Sequence, residues 1–258
     1  MKIVRFAWGD TPLYGILEGD TIHSVRGDIF GKFSHGKQKC HLSDVKLLAP
    51  VQPSIVVGTA LNYRVKDRPK TDAPLFFTKP PMSVIGPGAS IVLPSLSKET
   101  GGGPELAVVI GRTAKNVSES EALNYVLGYT CTLDVEATDL YMKDSHRPRG
   151  KSFDTFCPLG PCIVLKGSGF DPSNLAIECR VNGEVTSKGS TSELHYNVQQ
   201  VLSHFSTITT LRPGDVILMG EPVSNRHFKN GDHIEVEIEG IGVLQIKAVS
   251  ESSTSSLF

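Results

Sequence analysis

The side chains able to do chemistry lie in small, separated groups. The densest group is basic: Arg64, Lys66, Arg68 and Lys70 fall in one short segment. Such groups are protonated at neutral pH, so they face solvent or bind anions, and none can act as a base as an imidazole does. Eight histidines are scattered, with no His-x-His or His-x-x-x-His spacing, so no histidine metal cluster is predicted. His146 reads as an ordinary loop histidine, with a base near Lys151 as the alternative. Five cysteines, Cys40, Cys131, Cys157, Cys162 and Cys179, include no Cys-x-x-Cys pair. An odd number without that motif argues for reduced, buried or semi-buried thiols rather than a disulfide framework or a zinc site.

These groups must be positioned by a strand-rich scaffold. The 258 residues contain 25 glycines and 16 prolines, which punctuate many short apolar runs. That length suits one large domain with a small one attached. Ile3–Phe6, Tyr14–Leu17 and Thr21–His23 read as strands of a small N-terminal β module. The polar stretch from Gly27 to Ser43 reads as a linker, which places the division at 1–45 and 46–258. Ser118 and Glu121 form a capping box, predicting a helix through Ala122, Leu123, Val126 and Leu127 that stops at Gly128. A second helix is expected to open at Asn197 and run through Val198, Val201, Leu202, Phe205 and Ile208. Asn182-Gly183 predicts a hairpin over Arg180–Val185. Pro213-Gly214-Asp215 and Asn230-Gly231-Asp232 are turns that launch strands, and Ile234, Val236 and Ile238 alternate with Glu235, Glu237 and Glu239, one face dry and one wet. The serine-rich tail from Ser250 to Phe258 is expected to fray. A formal net charge of -1, without a basic stripe, argues against nucleic acid as a partner. No apolar run reaches membrane-spanning length and Met1–Asp10 lacks a signal-peptide layout, so a cytoplasmic protein without membrane association is expected.

Several segments, in order, resemble the fumarylacetoacetate hydrolase superfamily. They are Val57-Gly58 through Asn62-Tyr63, Pro74–Pro81 (PLFFTKPP), Glu105–Gly111 (ELAVVIG), and Gly128-Tyr129-Thr130 with Asp134-Val135. Arg149–Pro161 (RGKSFDTFCPLGP), Val181–Glu184 and Leu211–Ile217 (LRPGDVI) complete the series. The resemblance runs from about Leu48 to about Val249. It implies a mainly β (α+β) fold, a mixed β-sandwich roll, and a homodimer. It implies a divalent Mg²⁺ or Mn²⁺ held by three carboxylates, acting on small 2-oxo, β-keto or β-diketo acids through a metal-stabilised enolate. A hard cation takes carboxylate oxygens and stabilises charge developing on a carbonyl.

Carried over position by position, the resemblance assigns metal carboxylates to Glu105 and Asp134. The remaining family ligand falls at Gly103, which has no carboxylate, so the metal site is expected to be weakened. Lys151 falls at the family's lysine, which pairs with a substrate carboxylate or enolate oxygen. Asn62, Tyr63, Arg64, Lys66 and Arg149 fall in the substrate-binding segments. Lys66 stands where the family's hydrolases carry the histidine that helps activate water, so this segment reads either as a solvated face or as a cationic lid over a polycarboxylate substrate. Glu221, in Met219-Gly220-Glu221-Pro222, replaces a substrate-contacting threonine; it can supply the missing metal carboxylate, act as an acid or base, or mark decay of the site. The expectation is a metal-assisted decarboxylase or keto–enol tautomerase of a small 2-oxo or β-keto (di)acid. The alternatives are a C–C hydrolase of an acylpyruvate, and a metal-free pseudoenzyme or ligand-binding subunit, for which Glu105 and Asp134 would not converge.

Overall fold

The computed structural model describes residues 1–67, 69–144, 146–167, 169–222 and 227–253. Arg68 of the basic segment, Ser145 beside His146, and tail residues 254–258 lie outside the described residues. The protein is mostly β, as expected.

β1 (Lys2–Trp8), β2 (Thr11–Glu18), β3 (Thr21–Gly27) and β4 (Phe33–His41) form an antiparallel meander. The segment read as a linker therefore contains a strand. Its polar side chains hide the pattern, because β4 is an edge strand that buries almost nothing. β5 (Lys46–Leu48) pairs with β1. β6 (Val56–Ala60) and β7 (Leu75–Lys79) pair antiparallel across a long connection that carries the basic segment. Two short strands follow, β8 (Val84–Ile85) and β9 (Ser90–Leu93). β10 (Thr100–Ile110) and β11 (Val126–Ala137) make a long antiparallel pair.

The predicted helix after Ser118 shrinks to one 3₁₀ turn, Ala122–Tyr125, and Val126, Leu127 and Gly128 belong to β11. The Ser118 hydroxyl meets Ser120 at 3.1 Å and makes no capping box with Glu121. Tertiary pairing with β10 outweighs a few tenths of a kcal/mol of helix propensity.

Short helices α1 (Thr138–Tyr141) and α2 (Pro148–Lys151) precede β12 (Cys157–Leu165). β13 (Ala176–Val181) and β14 (Glu184–Ser190) form the expected hairpin, with Asn182 and Gly183 at φ 53° and 82° as a type I′ turn requires. Helix α3 (Val198–Ile208) opens with a capping box of Asn197 and Gln200. It buries Val198, Val201, Leu202 and Phe205 but leaves Ile208 exposed at its end. β15 (Val216–Leu218), β16 (His233–Ile238) and β17 (Gly242–Ser250) follow their predicted turns.

The larger sheet runs β4-β3-β2-β1-β12-β11-β10-β15-β6-β7, and the smaller β14-β13-β16-β17-β9. The N-terminal meander is thus hydrogen-bonded to the main sheet through the β1–β12 pair. One core lies between the sheets: Leu106, Val108 and Leu133 pack in it with Ile177, Val236 and Leu244. Ala107 and Val109 point the other way, into a second cluster with Ile3, Val56 and Leu159. β10 is therefore apolar on both faces, which is why its sequence is a continuous hydrophobic run rather than an alternating one. Cys131, Cys157, Cys162 and Cys179 are free and buried, and Cys40 is free and half-buried. No helix of the described residues is long and apolar enough to cross a membrane.

Candidate active site

The second apolar face of β10 and β11 ends in a patch of carboxylates. The register pairs Gly101 with Glu136, Gly103 with Asp134 and Glu105 with Thr132. Residues opposed in this way share a face, as do alternate residues along one strand. Glu105, Asp134 and Glu136 therefore project to one side, and the glycines opposite Asp134 and Glu136 leave that side open. These three carboxylates, with Glu221, line a cavity of about 250 Å³, just below the ~300 Å³ at which pockets for drug-sized ligands begin. Its size suits a small acid.

Glu221 arrives from another element. After β15, Met219 still bonds to Leu106 of β10. Gly220 then takes φ 95°, a conformation costly for any residue with a Cβ, and its amide donates to Glu105 Oε2 at 2.5 Å. That turn delivers the Glu221 side chain across the cavity. A Cβ built on Gly103 would sit 1.7 Å from Glu221 Oε2, so the Glu221 carboxylate fills the space where a side chain at 103 would begin. Glu221 is half-buried as a residue, yet its Oε2 is enclosed and has no hydrogen-bond partner.

Two buried lysines face this wall. Lys151, in α2, pairs with Asp134 Oδ2 and reaches Glu136 at 2.6 Å. Lys79, at the end of β7, pairs with Asp134 Oδ1 and donates to the Val135 carbonyl at 2.7 Å. Lys151 is 2% exposed, which rules out a surface lysine. Burial alone would raise the Asp134 carboxyl; the Lys151 and Lys79 ammonium groups outweigh it and hold it below the usual range. Burial opposes charge on Lys151, but Asp134, Glu136 and Glu221 overcome this and keep it protonated far above neutrality. Burial, then the charges of Asp134 and Glu221, push Glu105 well up. Burial likewise pushes Glu221 up to about 8.

This balance tests the divalent cation that the resemblance implies. Four carboxylates face the ammonium groups of Lys151 and Lys79 and the guanidinium of Arg147, an excess of one negative charge when all are ionised. The donors are hard oxygens, Glu221 Oε2 is orphaned, and Gly103 leaves it room. In charge and donor type the residues fit Mg²⁺ or Mn²⁺. They are not a ready-made cage: no three His, Cys, Asp or Glu side chains of the described residues already surround one point, and both Asp134 oxygens are held by lysines.

The remaining expected residues divide. Tyr63 is buried and lines the cavity. Asn62 lines it too, but its amide is committed inside the protein. It donates to the Tyr196 and Met219 carbonyls at 3.1 and 2.8 Å and accepts from the Tyr196 amide at 2.9 Å, so it positions the loop after β6 rather than meeting substrate. Arg64 is exposed and its guanidinium donates to the carbonyls of Ser192 and Glu193. Lys66 is exposed and outside the cavity lining, to which its neighbour Val65 contributes. Lys70 stacks over Tyr196 at 4.0 Å. Among the described residues, none of the basic side chains of this segment lines the cavity. Arg149 is also displaced: it is exposed, bonded to Asp144 at 2.8 Å, and turned away from the cavity by the short α2 turn that buries Lys151. His146 is exposed and lies with Arg149, away from the carboxylates.

Sequence reasoning missed Lys79, Glu136, Tyr141 and Arg147. Lys79 and Glu136 carried a signal: each is an ionisable residue ending an apolar strand run, Glu136 two residues from Asp134 and hence on its face. Arg147 carried none, because its placement depends on how the segment between α1 and α2 folds back.

A model of the fumarylacetoacetate (FAA) hydrolase C-terminal domain matches residues 55–249, and one of the Rv2993c-like N-terminal domain matches residues 1–50. The chain belongs to the fumarylacetoacetate hydrolase family. An uncharacterised protein of Archaeoglobus fulgidus is 46% identical over 212 residues, 81% of this chain and 84% of that one. The human mitochondrial oxaloacetate tautomerase FAHD2A is 40% identical over 221 residues, 80% of this chain and 70% of that protein. Among solved structures, 5-carboxymethyl-2-hydroxymuconate delta-isomerase from Mycobacterium smegmatis superposes with a TM-score of 0.92. It has 36% identity and covers 97% of this chain and 100% of that one. The named relatives thus include an oxaloacetate tautomerase and an isomerase.

Proposed function

We propose that this protein is a cytoplasmic, homodimeric enzyme that interconverts keto and enol forms of a small 2-oxo diacid, or decarboxylates it through the same enolate. The observation that carries this reading is the cavity wall: Glu105, Asp134 and Glu221 converge beside a buried, permanently charged Lys151. The pseudoenzyme alternative required the two strand carboxylates to diverge. The human relative's oxaloacetate tautomerase activity and the mycobacterial isomerase support the same chemistry.

Glu105, Asp134 and Glu221 would hold the divalent cation, which when bound supplies a Lewis acid for a carbonyl oxygen. Lys151, itself buried, adds fixed positive charge where the enolate oxygen develops. Glu136, 2.6 Å from Lys151 Nζ, is placed to take the proton from the carbon next to the carbonyl. Tyr63 and Phe77 wall the cavity and exclude water from that carbon. Hydrolysis needs a base that activates water, and such help is worth ~10²–10⁴ in rate. The Lys66 position, exposed and outside the cavity, does not provide it.

The test is a pair of assays on the wild-type protein with Mg²⁺ or Mn²⁺. Enol-to-keto conversion of oxaloacetate, followed by ultraviolet absorbance, should accelerate over buffer, with decarboxylation followed in parallel as pyruvate release. Acylpyruvate cleavage should stay near background. Efficient acylpyruvate cleavage without turnover of any 2-oxo diacid would reverse the assignment in favour of a C–C hydrolase.

A further inference from the structure

Three cations of the described residues reach the candidate site, and two are largely committed to its own carboxylates. Lys79 and Lys151 are both buried against Asp134, and Lys151 also holds Glu136. Arg147 differs. It lines the cavity and is half-buried, and no carboxylate of the described residues lies within 4.0 Å of its guanidinium. The group is held by aromatic rings: its central carbon lies 5.6 Å from the centre of Tyr141 and 6.0 Å from that of Phe77. Ring contacts of this kind engage the flat face of a guanidinium, while its N–H edge remains able to grip a carboxylate with two parallel hydrogen bonds. The rest of the cavity wall is rich in carboxylates, so a doubly anionic ligand needs a cation that the wall has not already used.

We propose that Arg147 recognises the carboxylate of the substrate farther from the reacting carbonyl, and so sets a preference for 2-oxo dicarboxylates over 2-oxo monocarboxylates. This rests on the reading of the cavity as a 2-oxo acid site. Arg147 touches substrate in this assignment but takes no part in proton transfer. The aromatic contacts hold its head before the ligand arrives, which reduces the side-chain entropy lost on binding.

Hydrogen–deuterium exchange at C3, followed by proton NMR, reports enolisation of oxaloacetate and of 2-oxobutyrate, which lacks the second carboxylate. Arg147→Met should lower kcat/KM for oxaloacetate about 10- to 100-fold, mainly through KM, the range expected for losing a charge-assisted pair. The value for 2-oxobutyrate should change less than about twofold, and Arg147→Lys should fall between. A variant that keeps the wild-type preference, or loses both substrates equally, would overturn the assignment. Malonate, an inert dicarboxylate, provides an arm independent of turnover: calorimetry should show affinity at least about tenfold weaker in Arg147→Met. Equal malonate affinity in the two proteins, or none in wild type, would also overturn it. Wild-type protein that enolises neither substrate but binds malonate through Arg147 would sink the proposed reaction and leave the anchor standing.

Discussion

Lys151 shows how burial changes the meaning of a substitution. From the motif alone, Lys151→Ala is expected to remove turnover and leave the fold intact. The structure corrects the second half, because the ammonium is enclosed between Asp134 and Glu136. Removing it strips charge compensation from the buried Asp134 and the half-buried Glu136, where breaking a fully buried pair typically costs ~3–5 kcal/mol; Lys79 still pairs with Asp134 and keeps the loss toward the lower end. Urea unfolding should show a lower midpoint with an unchanged slope, alongside loss of turnover. Glu105 and Glu221 make a second prediction. Both carboxyls are raised by burial, so the folded metal-free protein binds more protons than the unfolded chain. The stability that these two protonated carboxyls contribute is fully present below the ordinary carboxylate range and is lost as pH rises through the raised values, about 8 for Glu221. Mg²⁺ must displace those protons, so the Tm difference between Mg²⁺ and chelator should grow from pH 5 to pH 8. Gly103→Ala, whose Cβ would collide with Glu221 Oε2, should shrink that difference while the fold survives, since the clash is with the end of a flexible side chain. A Tm difference independent of pH and untouched by Gly103→Ala would refute the cation site.

The elements around the cavity depend on a few hydrogen bonds. Asn62 joins the loop after β6 to the turn before α3 and to the end of β15 through three side-chain bonds. At about 1 kcal/mol each, with a desolvation penalty for partners left buried, Asn62→Ala should cost ~2–4 kcal/mol. Because Met219 immediately precedes the Gly220-Glu221 turn, the same change should lower kcat as Glu221 loses its fixed position. Thermal unfolding and kinetics of the one variant read both effects. An undiminished kcat would show that the turn is held by Gly220 and Glu105 alone. The glycine run 101–103 lies in β10 opposite Glu136 and Asp134 and makes room for the site.

The N-terminal meander is hydrogen-bonded into the larger sheet through β1 and β12, and the smaller sheet meets that sheet across a shared apolar core. Removal of residues 1–45 would expose the β12 edge and uncover Ile163, which pairs with Ile3. The homodimer carried over from the family resemblance is a further prediction. Sedimentation equilibrium at micromolar concentration should give twice the mass of the chain. A single species of chain mass across that range would overturn it.

The strand alternation at Ile234–Ile238, the Asn182-Gly183 turn, the Asn197 cap and the order of the family's segments could all be read in the sequence, because each depends on local periodicity or on backbone preferences of one or two residues. Glu105, Asp134 and Lys151 were legible as candidates through the motifs that contain them, and the three line one cavity. The failures share one cause: side chains whose partners lie far along the chain. Val126–Gly128 became strand because β10 was there to pair with them. Arg149 and Lys66 point away and Arg147 points in, because the loops that carry them are positioned by packing against other elements. The meaning of Gly103 and Glu221, 118 positions apart in the numbering, emerged only when β10 and β15 were side by side and one residue's carboxylate occupied the space beside the other's Cα. Local propensities cannot specify such a juxtaposition; the pairing of distant strands decides it.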